Sequence, residues 1–369
     1  MISPRNIPTL CLYACTLAVI STFHVPPTFA TDMSIYSVPL NHIILDDFRG
    51  GAIPLNQASP ELIETLKDRI PPLTNPRYSM AQEASWLAND DIVLGFVEKG
   101  DARAFPTRIL NFHEIVNDTI GGRTVLISYC PLCRSGLVFD RQVGTKLLTF
   151  GNTSGLYESD MVMYDHQTKS YWFQVRGEAI VGSLTGTRLT LLPAFLLPWS
   201  EWLTLYPNTK VLSRETGFSR PYHRDPFRGY DELGTLPGFP INTTDNRLDP
   251  KEKVLGLTHN GVRRAYSLTR LGHSATMDTI GGKPVVVFSD SAGPSGAVFD
   301  ATAKSLALSF FLAQGMFKDH QTRSTWNLAG EATNGPLKGL RLTPLAAHST
   351  FWFARIAAFP DTGIYTPHS

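Results

Sequence analysis

The chain has 369 residues, 43% of them hydrophobic and only 18% charged, which makes it a packed globular protein rather than a disordered one. A formal net charge of +1 leaves no electrostatic footprint for nucleic acid or an anionic membrane surface, so those partners are set aside. Four Cys are too few for a disulfide scaffold and enough for one site.

Residues 1–30 read as a signal peptide. Arg5 is the only charged side chain there, an apolar run extends from Leu10 to Phe23, and Pro26-Pro27 breaks it before Thr28-Phe29-Ala30. The run falls short of the ~18–20 apolar residues of a spanning helix. Cleavage after Ala30 is expected, with export to the periplasm or beyond and no transmembrane anchor afterwards. A minor alternative is lipidation at Cys15, after Leu12-Tyr13-Ala14. Cleavage removes Arg5, Cys11 and Cys15, so the exported protein is formally neutral and keeps only Cys130 and Cys133.

Residues 31–90 form an N-terminal segment in which Ser59-Pro60-Glu61 has the hydroxyl cap, first-turn Pro and acid of a helix start. From Ile92 the pattern turns to strands. Ile92 to Val97 and Ala102 to Phe105 flank the Lys99-Gly100 turn as a hairpin. Pro106-Thr107 predicts a helix to about Val116, closed by Asn117-Asp118. Thr124 to Tyr129, Gly136 to Arg141, Leu147 to Phe150 and Met161 to Tyr164 read as strands, and Pro198 to Tyr206 as a late helix. The stretch 214–251 is a linker rich in Pro, Gly and aromatic residues, and its rings (Tyr222, Phe227, Tyr230) predict that it packs on something.

The chain also contains itself twice. Asp118-Thr119-Ile120-Gly121-Gly122 recurs as Asp278-Thr279-Ile280-Gly281-Gly282, and Val138-Phe139-Asp140 as Val298-Phe299-Asp300, both at a shift of 160. Asp165-His166-Gln167-Thr168 recurs as Asp319-His320-Gln321-Thr322 at a shift of 154. These matches, with Val93 to Phe96, Gly177 to Ala179 and Gly186 to Thr190, fall in one order. They predict a tandem duplication with units at 91–213 and 252–369. The expected fold class is α+β, strand-dominated, as two internally duplicated β-rich units with short helices.

A duplicated chain is its own control. Features in both copies serve the fold, and features in one copy are candidates for function. Asp165 to Thr168 with Trp172, matched by Asp319 to Thr322 with Trp326, read as a polar turn under an indole, which outweighs an acid–base role for Asp165 and His166. Cys130 and Cys133 occur in one copy only, facing Asp290 and Gly293. Two thiols separated by two residues can close a disulfide, exchange it catalytically, or hold a metal. A thioredoxin-type pair opens a helix, whereas Gly136 to Asp140 here reads as a strand, so exchange ranks third. A metal must recruit other residue types, because no second Cys pair exists. On the predicted helix Ile109, Phe112, His113 and Val116 share a face, which makes His113 the candidate third ligand beside its competing reading as a core histidine. Glu114 and Asn117 become Ser274 and Met277 in the second copy; Met161 and Met163 become Gly315 and Phe317. The two methionines on one strand face are core packing first and soft-metal ligands second. Arg134 would lower a thiol pKa or hold an anion, or else lie solvated on the surface. Phosphate-binding and dinucleotide-binding glycine patterns, the Gly-x-Ser-x-Gly elbow and His-Glu-x-x-His are all absent.

Tyr129-Cys130-Pro131-Leu132-Cys133 with Val138-Phe139-Asp140-Arg141 resembles the signature of an exported bacterial family known as domain of unknown function 3179. The resemblance extends to His113 through Asp118, Asp165 to Trp172, Gly182 to Pro193, Trp199 and Trp202, Phe351-Trp352-Phe353 and Pro360-Asp361-Thr362. It implies export and no particular reaction, substrate or cofactor. The residues themselves predict a metal-binding or redox-active site at Cys130 and Cys133, with His113 as third member and a soft or borderline ion, copper or zinc, as cofactor. The alternative is a non-catalytic binding or scaffold protein whose Cys pair is a structural disulfide.

Overall fold

Runs of β-branched and aromatic residues between Gly turns favour pleated, half-buried strands, and strands dominate the computed structural model. It describes residues 31–290, 295–303 and 305–367; the expected signal peptide and Gly293, opposite Cys133, lie outside these. The N-terminal segment gives β1 (Ile43–Asp46), β2 (Ala52–Pro54), α1 (Pro60–Leu66), β3 (Leu73–Thr74) and β4 (Tyr78–Met80). Helix α1 begins as predicted, with the Ser59 hydroxyl accepting from Leu62 N and Pro60 in the first turn.

Residues 91–213 add β5 (Ile92–Glu98), β6 (Asp101–Pro106), α2 (Thr107–Leu110), β7 (Ile115–Ile120), β8 (Arg123–Cys130) and β9 (Ser135–Asp140). A small hairpin, β10 (Gln142–Val143) and β11 (Lys146–Leu147), precedes β12 (Phe150–Tyr157), β13 (Asp160–Asp165), β14 (Tyr171–Phe173) and β15 (Glu178–Val181). Then come β16 (Thr190–Leu192), β17 (Phe195–Pro198), α3 (Trp199–Leu205) and β18 (Lys210–Leu212). After the linker follow β19 (Lys253–His259), β20 (Val262–Ser267), α4 (Leu268–Leu271), β21 (Ser274–Ile280), β22 (Lys283–Asp290) and β23 (Ser295–Asp300). The chain ends through β24 (Thr302–Ala303), β25 (Leu306–Ala307), β26 (Phe310–Ala313), β27 (Met316–Asp319), β28 (Thr325–Trp326), β29 (Ala332–Asn334), β30 (His348–Phe351), α5 (Trp352–Ala358) and β31 (Gly363–Ile364).

Three sheets carry the first part, in the orders β15-β14-β13-β12-β1-β2, β16-β9-β8-β7-β3 and β17-β5-β6-β18-β4. The N-terminal segment therefore supplies the outermost strand of each sheet, covering edges that would otherwise expose unpaired backbone. The later part has β26-β27-β28-β29, β21-β22-β23 and β30-β19-β20-β31. In both parts the strand after the late helix runs parallel to a hairpin strand, β18 on β6 and β31 on β20.

The cores cross. Phe195, Trp199 and Trp202 are buried with Val286, Phe288 and Phe299 from the later strands. Phe351, Phe353 and Ala354 are buried with Leu126, Leu137 and both cysteines of the earlier ones. Each late helix segment thus fills the other part's interior, and the described residues from Thr31 onward pack as one compact unit. The Trp202 ring lies where a β-carbon on Gly95 would sit, so β5 needs glycine at that position.

Two predicted elements change. The helix from Thr107 stops at Leu110, and β7 begins at Ile115 inside its expected span. Glu114 is left-handed, at φ 56°, which breaks the helix, and the β-branched run Ile115, Val116, Thr119 and Ile120 then pairs with β8. Ile109, Phe112, His113 and Val116 therefore do not share a helix face, and Asn117-Asp118 lie within a strand. The predicted strand from Leu147 to Phe150 divides between β11 and β12. Thr149 is diverted, donating its N–H to Gln167 Oε1 (2.8 Å) and accepting from His166 N (2.8 Å).

Candidate functional site

Strands β8 and β9 pair antiparallel down to Cys130 opposite Ser135, leaving Pro131 to Arg134 as the connecting turn. Arg134 closes it in the left-handed region, φ 49°, a conformation costing a non-glycine residue about 1 kcal/mol or more. A strand follows the second cysteine, as predicted, so the thiols sit at a hairpin tip and not at a helix N-terminus. The tip is gripped from the far end of the chain: Cys133 O accepts from Phe351 N (2.9 Å) and Thr350 Oγ1 (3.0 Å).

Both thiols are free and buried. Sγ of Cys133 donates to Asp160 Oδ1 at 2.7 Å, and the second oxygen of Asp160 accepts from Val175 N at 2.8 Å. Ser135 Oγ lies 3.4 Å from Cys133 Sγ and donates to Gln174 Oε1 at 2.7 Å. One ligand atom from each of Cys130, Cys133 and Asp160 falls within 4.8 Å of the others, and all three residues are buried. Burial pushes the Cys130 thiol up and the Cys133 thiol well above its ordinary value. The Asp160 carboxyl is raised to about 6, again by burial, against the bonds from Cys133 and Val175 that favour the carboxylate. Thiols held neutral in this way are poor nucleophiles for disulfide exchange, whereas a cation among three such groups would favour the anionic form of each.

His113 is not brought to this cluster. Its Nδ1 lies 2.7 Å from Pro71 O, which can only accept, so Nδ1 carries the proton and Nε2 accepts from Tyr222 Oη at 2.6 Å. Both nitrogens are therefore engaged within the core, on a ring that burial holds below its ordinary pKa. The aromatic linker packs as predicted, since Tyr222 is what covers His113. Asn117 also serves the fold, exchanging two 2.8 Å bonds with the Phe150 backbone.

Glu114, the residue after His113, does stand at the site. It is 8% exposed, accepts from Asn152 Nδ2 at 2.6 Å, and is raised to about 8, chiefly by burial and then by the charge of Asp160. Met161 and Met163 share the buried cluster of the cysteines, their sulfurs accepting from Asn152 Nδ2 (3.3 Å) and Ser128 Oγ (3.6 Å). Arg134 points to the other side of the turn, into a cavity of about 270 Å³ shared with Tyr129 and Tyr230. Asp165 is consumed by its turn, accepting from Thr168 N (2.5 Å), Thr168 Oγ1 (2.7 Å) and Trp172 Nε1 (3.0 Å). Asp319 makes the corresponding bonds to Thr322 and to Trp326 Nε1 (3.0 Å).

Asp160 was not singled out from the sequence, yet the signal was there. The shift of 154 that aligns Asp165 with Asp319 sets Asp160 against Gln314, so this carboxylate, like the thiols, has no counterpart of its own kind at the shift of the neighbouring matches.

No curated protein and no solved structure matches the chain. Among the described residues no helix is long and apolar enough to cross a membrane. A family model does match, over residues 67–362, which spans both the Cys130–Asp160 cluster and the later strands. The chain belongs to the family described as protein of unknown function, DUF3179.

Proposed function

We propose that this is an exported metalloprotein, built by tandem duplication, that holds one transition-metal ion through Cys130 Sγ, Cys133 Sγ and an Asp160 oxygen. The observation that carries the reading is the convergence of those three buried donors within 4.8 Å. Three protein ligands leave a fourth tetrahedral position open, the pattern of reactive rather than purely structural zinc sites. The carboxylate favours zinc; the Met161 and Met163 sulfurs that would suit Cu(I) are already hydrogen-bond acceptors. The proton between Cys133 and Asp160 is the one a metal would displace.

Metal analysis of the purified mature chain tests this. About one ion per chain is expected, lost in Cys133→Ser with the fold retained. A metal-free protein with two slowly reacting thiols would sink it.

A second reading rests on the two sulfurs lying within 4.8 Å of each other at one hairpin tip, so that oxidation would join near neighbours in a disulfide. The protein is then a binding or scaffold protein with a stapled hairpin. Thiol titration before and after reductant separates the two, since the disulfide reading expects free thiols only afterwards.

A further inference from the structure

Beside the cysteine hairpin lies a cavity of about 260 Å³ that the metal reading does not use. Besides Glu114 and the strands β12 and β13, three separate stretches build its wall. Phe48 comes from the N-terminal segment, Leu132 from the turn between the cysteines, and Phe227 and Phe239 from the linker. The acidic groups on its wall are Asp46 and Glu114, and Asn152, on the same wall, donates to Glu114 Oε2. No Lys, Arg or His is among the described residues that line it.

The linker is held over this space by design of the β12–β13 turn. Glu158 and Ser159 both adopt left-handed backbone, φ 52° and 58°, where a two-residue hairpin prefers Asn-Gly. Their side chains account for the choice. Glu158 Oε2 accepts from Asn242 N (2.8 Å) and Thr243 N (3.0 Å), and Ser159 Oγ accepts from Phe239 N (3.2 Å). The corresponding turn between β26 and β27 has Gln314-Gly315 and no linker to hold. Gln314 shares the left-handed backbone at φ 53°, so the difference lies at the second position, where Ser159 stands against Gly315 and its side chain seats Phe239 on the cavity.

We propose that this cavity binds a small organic cation, a primary amine on a compact apolar body, with the ammonium group paired to Glu114. Two acidic groups without a basic partner disfavour anions, and only a cation adds a full charge pair with Glu114 to the hydrogen bond that a neutral ligand could also make. Ring faces and edges of Phe227 and Phe239 suit the hydrocarbon and the flank of the cation. One face of Phe48 is already occupied from outside by Arg69, 5.7 Å from the ring centroid. An arriving ammonium supplies the opposite charge that burial denies Glu114, so the pair forms as carboxylate and ammonium. The assignment goes beyond the metal reading and does not rest on it. Two thiolates and a carboxylate around a divalent ion still sum to one negative charge, so the neighbourhood favours a cation in either case.

Isothermal titration with benzylamine, benzyl alcohol and benzoate tests this, on the mature protein as isolated and after chelator treatment. Benzylamine is expected to bind at least about tenfold more tightly than either analogue in both preparations, and Glu114→Gln to lose at least about tenfold of that affinity. Should Glu114→Gln not fold, Phe239→Ala is expected to weaken benzylamine while the wild-type preference decides the charge. Benzyl alcohol binding as tightly as benzylamine, or no benzylamine binding, overturns the inference. A protein isolated without bound metal that still selects the amine overturns the metal reading alone.

Discussion

Cys133 Sγ donates to Asp160 Oδ1 at 2.7 Å, across 27 residues of sequence, in a place closed to solvent. Burying a thiol and a carboxyl together is costly unless they satisfy each other, and here they do. On the proposed metal reading, the same closeness is what lets the pair act with Cys130 as a chelate. Asp160→Asn keeps an oxygen for Val175 N and removes the charge. It is expected to fold and to lose at least about tenfold in metal affinity, read by competition with a chromophoric chelator. Unchanged affinity would remove Asp160 from the ligand set.

His113 gives the opposite expectation. Its bonds to Pro71 O and Tyr222 Oη tie the turn before β7 to the N-terminal segment and to the linker. His113→Leu should cost about 1–3 kcal/mol in urea unfolding, because it leaves the Pro71 carbonyl without its donor and the Tyr222 hydroxyl with Thr216 Oγ1 alone, while metal content per chain stays unchanged. Loss of metal with stability intact would restore His113 as a ligand.

The later part of the chain carries an acid-sensitive residue. His348 on β30 is buried, with neither ring nitrogen hydrogen-bonded. Burial, then the nearby Arg355, lowers it from 6.5 to about 3. Between those values the unfolded chain binds a proton that the folded one refuses, so this contribution is complete above pH 6.5 and is lost as pH falls toward 3. Unfolding free energy should drop by up to about 1.4 kcal/mol per pH unit in that window. His348→Phe should flatten the decline in denaturant titrations from neutral pH downward; an identical slope refutes it.

Asp165 and Asp319 should behave as twins. Each accepts from the indole of its own tryptophan at 3.0 Å and from a turn amide at 2.5 Å. Asp165→Ala and Asp319→Ala are each expected to lower the unfolding midpoint, by a similar amount corresponding to about 1–3 kcal/mol for every buried donor left unpaired. Neither should alter bound metal. If Asp165→Ala alone abolished a site property, the turn would have a role beyond the fold.

The strand-rich class, the hairpin at Lys99-Gly100, the capped helix at Ser59 and the packing of the aromatic linker were legible in the sequence, because each depends on near neighbours in the chain. So was the singularity of Cys130 and Cys133, which have no thiols opposite them at the shift of 160. Three things were not. A 3.6-residue pattern carried the helix past Leu110, since nothing in the residue order announces the left-handed turn at Glu114. His113 was brought toward the thiols by that helix, and the actual strand carries it to Pro71 and Tyr222 instead. The third donor, Asp160, comes from another sheet, and the hold on Cys133 O comes from Thr350 and Phe351 in the last strand of the later part. Local propensity and self-comparison say which residues are unusual. Only the crossing of the two cores, driven by burial of Trp199 and Trp202 on one side and Phe351 and Phe353 on the other, decides which of them meet.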